Sequence, residues 1–221
     1  MKIATLALTL ALAASLSACG EAVRDAPEDA AAVAADVVTA ADVVTAADVV
    51  TARFVDEAAL LRWLREEEKL ARDVYLALQG QSGVFANIAA SEQTHTDAVL
   101  ALLVRYGIDD PAAGRAQGSF ATPALQSLHD ALVAQGSAST LAALQVGAEI
   151  EELDIADIRE MRGVARSADV LATLDSLERG SRNHLRSFWR QLQGVGGSYT
   201  PRHLTASEFA AIAEGPTETG R

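Results

Sequence analysis

Cysteine occurs once in 221 residues, as Cys19. That scarcity excludes an internal disulfide, a cysteine-ligated zinc site and a Cys-x-x-C redox pair, so any bound metal must be held by oxygen and nitrogen. Positive charge is also short: 18 Lys and Arg stand against 30 Asp and Glu, for a net charge of −12. Such a surface repels phosphate backbones and excludes nucleic acid as a partner. The apolar run near the start covers residues 3–14, well under the roughly 20 residues a membrane-spanning helix needs. Beyond residue 56 no convincing run of alternating strand residues appears, so strands are not expected. What is plentiful is apolar character, at 50% hydrophobic and 22% charged residues. This rules out a disordered chain and suits one globular domain of roughly 150 residues with extra segments at its ends.

The first segment has the order of a secretory signal: Lys2, the apolar run, then small residues before a cut. Its Leu16-Ser17-Ala18-Cys19 string resembles the bacterial lipoprotein lipobox. The resemblance implies a signal peptide over 1–18 and lipidation of Cys19, with the membrane as partner through that residue. With Gly20 rather than aspartate next, it also implies a place in the bacterial cell envelope, lipid-anchored at the outer membrane and facing the periplasm. Between residues 35 and 52 the hexapeptide Ala-Asp-Val-Val-Thr-Ala occurs three times in tandem. A period of six matches neither a helix nor a strand, so residues 19–55 read as a low-complexity tether. Paired valines leave an extended partner-binding segment as the alternative.

From Asp56 onward helix formers dominate, and the predicted class is all-α. Four long helices are expected, over residues 56–79, 84–105, 139–162 and 168–193. Each carries a stripe in alternating steps of three and four, which keeps its members on one face. The stripes are Leu64, Glu68, Ala71, Tyr75, Leu78; Phe85, Ile88, Glu92, His95, Val99, Leu102; Leu141, Leu144, Ala148, Glu151, Ile155, Ile158; and Val170, Leu174, Leu177, Ser181, His184, Phe188. In every stripe the polar interruption falls near the midpoint, so in a four-helix bundle the interruptions meet at one level. Unpaired buried carboxylates are costly, and a cation, or a pair of them, neutralises such a layer. Asp154, one turn beyond Glu151, joins as a further candidate, with pairing to Arg182 or Arg186 as its alternative. Glu67 and Glu152 are the substitutes if the stripes are mis-phased.

The first two helices are joined by a short turn, and so are the last two, so each pair forms an antiparallel hairpin. Residues 106–138 between the hairpins hold a short amphipathic helix over 124–135. One long crossover between two hairpins is the ferritin-like connection, and the domain is placed at 56–213 with a disordered tail at 214–221. Elsewhere the expectations are plain. Glu66, Glu67 and Lys69 read as a solvated face, and His129 and His203 as surface histidines. Met161 and Trp189 read as packing, and Tyr75 as a core residue whose hydroxyl bonds a carboxylate.

The ferritin-like di-iron pattern takes one glutamate from each of two helices and Glu-x-x-His from each of the others. This chain offers Glu68, Glu92-Gln-Thr-His95, Glu151 and Ser181-Arg-Asn-His184. The string from Glu68 to Tyr75 resembles the first iron-ligand helix of rubrerythrins. The strings 66–75, 87–96 and 180–185 resemble, more closely, the bacterial and archaeal DUF2202 family, which is ferritin-like. The resemblance covers about residues 56–212 and implies a di-iron carboxylate type of metal site working on oxygen or peroxide. Its cofactor is one or two iron ions, or another divalent metal. The implied ligands are Glu68, Glu92, His95, Glu151 and His184. At Ser181 the chain departs from the pattern, which weakens one metal position, makes the site mononuclear, or is offset by Asp154. With no cysteine module for passing electrons, a redox cycle needs an external electron donor. The non-catalytic alternatives are metal sequestration and a helical module with a degenerate site.

Overall fold

Asp56 sets the first helix in place: its carboxylate accepts the Ala59 amide at 2.7 Å, capping α1 (Glu57–Leu78). A short turn leads to α2 (Val84–Tyr106), which ends at Gly107, whose φ of 63° lets its amide reach back to the last carbonyls. The crossover carries α3 (Pro123–Gly136). Ser139 then caps α4 (Thr140–Val164), and a turn at 165–167 leads into α5 (Ala168–Gly194). A short α6 (Ala206–Ala213) opens with a capping box between Thr205 and Glu208. The computed structural model describes residues 54–220. Among these no strand occurs, and no helix is long and apolar enough to cross a membrane. Cys19 and the hexapeptide repeats, with the signal, lipidation and tether read there, lie outside the described residues.

The architecture is a ferritin-like four-helix bundle with one long crossover containing a short helix. The hairpin of α1 and α2 faces the hairpin of α4 and α5, with α1 against α4 and α2 against α5. The crossover helix α3 packs on α1 and α4, covering that side, and α6 rests on α5. The apolar stripes fill two clusters. One is built around Tyr75, Phe85, Leu144 and Phe188, the other around Leu61, Val99, Ile158 and Leu174. On α1, α2 and α5 the polar members of the stripes fall between these clusters, and on α4 Glu151 lies at the inner end of the first.

Several expectations are corrected at the edges. Phe54, inside the stretch read as tether, is only 2% exposed and packs edge-on against Trp63. Leu141 is 41% exposed, because the first turn of α4 lies at the margin of the bundle. The tail at 214–220 is tied down rather than disordered. Arg182 and Arg186 on α5 each donate to the Glu218 carboxylate at 2.7 Å, and the Glu218 amide donates to Asn183 at 2.9 Å. Glu66, Glu67 and Lys69 are buried, not solvated, and the crossover lies across Glu66 and Lys69. Glu66 accepts the amides of Ala121 and Thr122 and the Thr122 hydroxyl. Lys69 pairs with Asp73 and donates to the Ala116 carbonyl, and Asp73 accepts the Gly118 amide at 2.8 Å. His129 is buried as well, beside Gly118 and with its ring 5.3 Å from that of Phe120.

Candidate metal centre

The helical period brings Glu68, Glu92, Glu151, Asp154 and Ser181 to full burial in one layer, with the His95 and His184 side chains 12% and 10% exposed. The imidazoles reach the surface between α2 and α5, the side that the crossover helix leaves uncovered. Their rings lie 5.5 Å apart, nearly parallel. Both turn Nδ1 inward. For His95 that atom is 2.8 Å from Glu92 Oε2 and 3.2 Å from Glu68 Oε2. For His184 it is 2.6 Å from Glu92 Oε1 and 3.5 Å from Glu151 Oε2. Two sets of potential ligand atoms result, Glu68, Glu92 and His95 in one and Glu92, Glu151 and His184 in the other, each with its atoms within 4.8 Å of one another. Glu92 belongs to both and sends one oxygen to each.

The decisive test of fit is what these atoms lack. Glu68 Oε1, both oxygens of Glu92, Glu151 Oε2 and His184 Nδ1 are buried without a hydrogen-bond partner. The two short Glu92 contacts do not satisfy it, because its oxygens lie near the Nδ1 atoms yet off the line along which a ring N–H points. Buried carboxylates that converge without aligned donors cost several kcal/mol each, on the order of a lost charged hydrogen bond or more. Oxygen and imidazole lone pairs converging on a common point form the donor set that a divalent cation takes.

Electrostatics says the same in another form. Burial works against charge on His95, but the carboxylates of Glu92 and Glu68 outweigh it and push its pKa up to about 12. His184 is likewise opposed by burial and raised by Glu151 and Glu92 to about 10. Burial lifts Glu68 to about 7 against the pull of His95. Burial would also lift Glu92, but His184 and His95 hold it below its ordinary range. With protein groups alone, the layer recruits protons to balance its acids. A divalent cation held among the same atoms would supply that positive charge in place of the imidazole protons.

Asp154 reaches the layer without entering either set. It is fully buried, and its Oδ2 lies 3.4 Å from the Ser181 hydroxyl, which also donates to the Leu177 carbonyl at 3.1 Å. Burial, then the charges of Glu68, Glu151 and Glu92, raise its pKa well above the usual aspartate value. It pairs with neither Arg182 nor Arg186, which are engaged with Glu218. Glu152 is committed elsewhere: it accepts the amides of Arg202, His203 and Leu204 and the Tyr199 hydroxyl. Tyr75 donates to Glu151 Oε1 at 2.6 Å. Sequence reasoning missed Ser91, whose hydroxyl lies 2.9 Å from His184 Nε2, and Gly180, which faces His95. Each stands one turn before a histidine on its own helix, a spacing visible in the sequence once the helices are aligned on those histidines.

A family model described as "Uncharacterized protein domain (DUF2202)" matches residues 57–216. An uncharacterized protein of Methanocaldococcus jannaschii, MJ0754, is 45% identical over 159 residues, which cover 71% of this chain and 86% of the relative. The crystal structure of a hypothetical protein of the same designation from Methanococcus jannaschii superposes with a TM-score of 0.71 at 44% identity, covering 73% of this chain and 94% of that one.

Proposed function

The chain belongs to the DUF2202 family, and from that premise we propose that it binds two divalent metal ions, iron foremost, at the centre of its bundle. The observation that carries this reading is the set of buried, donorless carboxylate oxygens of Glu68, Glu92 and Glu151 facing two imidazole Nδ1 atoms. Glu68 and His95 would hold one ion and Glu151 and His184 the other, with Glu92 available to both. Asp154, beside Ser181 but in neither ligand set, is the nearest carboxylate to the place where the ferritin-like pattern has a glutamate on the last helix. Iron held by these residues would supply redox chemistry toward peroxide or oxygen. The protein's part is to fix the ligands, to exclude bulk water on the side covered by α3, and to admit small molecules between α2 and α5. Electrons come from an external donor, since a single cysteine cannot build an electron-passing iron module. The lipobox-like string at Cys19 supports a lipid anchor in the cell envelope as the setting for this activity.

A second reading, metal uptake without turnover, is favoured by Ser181, a hydroxyl where the pattern has a carboxylate. The test is metal analysis of the purified full chain, followed by anaerobic addition of ferrous iron and then peroxide with a reductant, watched by absorption. Binding of about two ions per chain with repeated peroxide loss supports the oxidoreductase. Stable binding alone supports the store, and a chain that takes up no metal overturns both. Loading should also raise thermal stability, by roughly 2.7 kcal/mol at a hundredfold excess of metal over its dissociation constant.

A further inference from the structure

The two histidines are approached from behind in different ways. Ser91 on α2 stands four residues before His95, and Gly180 on α5 stands four before His184. Each faces the histidine of the opposite helix. Ser91 Oγ lies 2.9 Å from His184 Nε2, the nitrogen pointing away from Glu92 and Glu151. At Gly180 a Cβ would come within 2.5 Å of His95 Nε2, so only a residue without a side chain leaves that ring its seat. The strings Ser91-Glu92-Gln93-Thr94-His95 and Gly180-Ser181-Arg182-Asn183-His184 are therefore counterparts across one seam. One offers a hydrogen-bonding hydroxyl and the other offers space.

The carboxylates repeat the contrast. Glu151 and Glu68 each have one oxygen without a hydrogen-bond partner, but the other oxygen of Glu151 receives the Tyr75 hydroxyl at 2.6 Å, whereas that of Glu68 meets only His95, itself a candidate ligand, at 3.2 Å. Among the described residues, His95 Nε2 has no hydrogen-bond partner comparable to Ser91. Groups behind a ligand fix its orientation and raise its basicity, and losing one costs about 10–100-fold in metal affinity.

We infer that the two metal positions are unequal by construction. The one made by Glu92, Glu151 and His184 binds its ion tightly, while the one made by Glu68, Glu92 and His95 binds weakly and exchanges. Ser91 and Gly180 are the positioning residues that set the difference. The inference rests on the metal-centre reading above and adds which ion is resident and which exchanges.

Cobalt(II) titration of the purified full chain, followed by calorimetry and by visible absorption, tests it. The wild-type chain is expected to bind in two phases whose affinities differ by about 10–100-fold. His184→Ala should abolish the tighter phase and His95→Ala the weaker one. Ser91→Ala should loosen the tighter phase by about tenfold or more and leave the weaker unchanged, while Gly180→Ala should do the reverse. Far-ultraviolet circular dichroism checks that each variant is folded, and Ser91→Ala decides the matter if Gly180→Ala disturbs the helix. Equal affinities in the wild type, or a Ser91→Ala chain whose tighter phase is untouched, would overturn the inequality while leaving the metal centre standing. No cobalt binding at all by the wild type would remove the centre itself.

Discussion

Glu151 and Glu152 are neighbours on α4, and both are wholly buried, but their surroundings are opposite. Glu152 points at the segment after α5, where three consecutive amides and a tyrosine hydroxyl converge on its oxygens at 2.5–2.9 Å. Glu151 points into the bundle, where Tyr75 serves one oxygen and the other meets only acids and an imidazole. On α1, Glu66 and Glu68 show the same pair of fates: the first holds the crossover through the Ala121 and Thr122 amides, and the second faces the central layer. A buried carboxylate is therefore not in itself a sign of metal. Where donors were brought to it, it is architecture. Where lone pairs were brought to it, its oxygens are left without donors, the pattern on which the proposed metal site rests.

Substitution at the shared ligand breaks the contrast most sharply. Glu92→Gln should remove both metal positions, lowering affinity by more than the roughly 10–100-fold that loss of an outer partner costs, as read by metal analysis after dialysis. The opposite side of the comparison predicts a different failure. Glu152→Gln leaves its backbone donors facing an amide and should lower unfolding free energy by about 1–3 kcal/mol in urea, with metal content per folded chain unchanged. Loss of metal in that variant would merge the two classes that the structure keeps apart. The smallest effect belongs to the tail. Hydrogen bonding from Arg182 holds the Glu218 carboxyl down at about 2. An acid whose pKa is depressed on folding stabilises above its ordinary range and loses that stabilisation as pH falls through its folded value. The tail should therefore stay docked through mildly acidic conditions and loosen as pH approaches about 2, read by hydrogen exchange at the Glu218 amide.

Much of this was legible because helices impose a strict period. Glu68, Glu92, Glu151, Ser181 and His184 could be placed in one layer from spacing alone, and their burial follows that period residue by residue. What spacing does not carry is which loop lies over a helix. Glu66, Lys69 and Asp73 occupy faces that the heptad-like rhythm gives to solvent, and they are covered because the crossover crosses α1 there. His129 was hidden for the same reason. The tail was misjudged because its hold comes from Glu218 meeting arginines some 32–36 residues earlier, a pairing no local pattern announces. Ser91 escaped because a serine on a helix is unremarkable until the histidine it touches is known to come from another helix.

The position of Glu92 between the hairpins has a mechanical side. The hairpin of α1 and α2 supplies Glu92, and the hairpin of α4 and α5 supplies Glu151 and His184. If the proposed ion is gripped by all three, it would be a clasp between halves whose covalent link is a long crossover. Prying the halves apart would then mean breaking coordination bonds, and the force the bundle withstands would follow the supply of metal. A chain with one cysteine would gain in this way a reversible fastening that a disulfide would have made permanent.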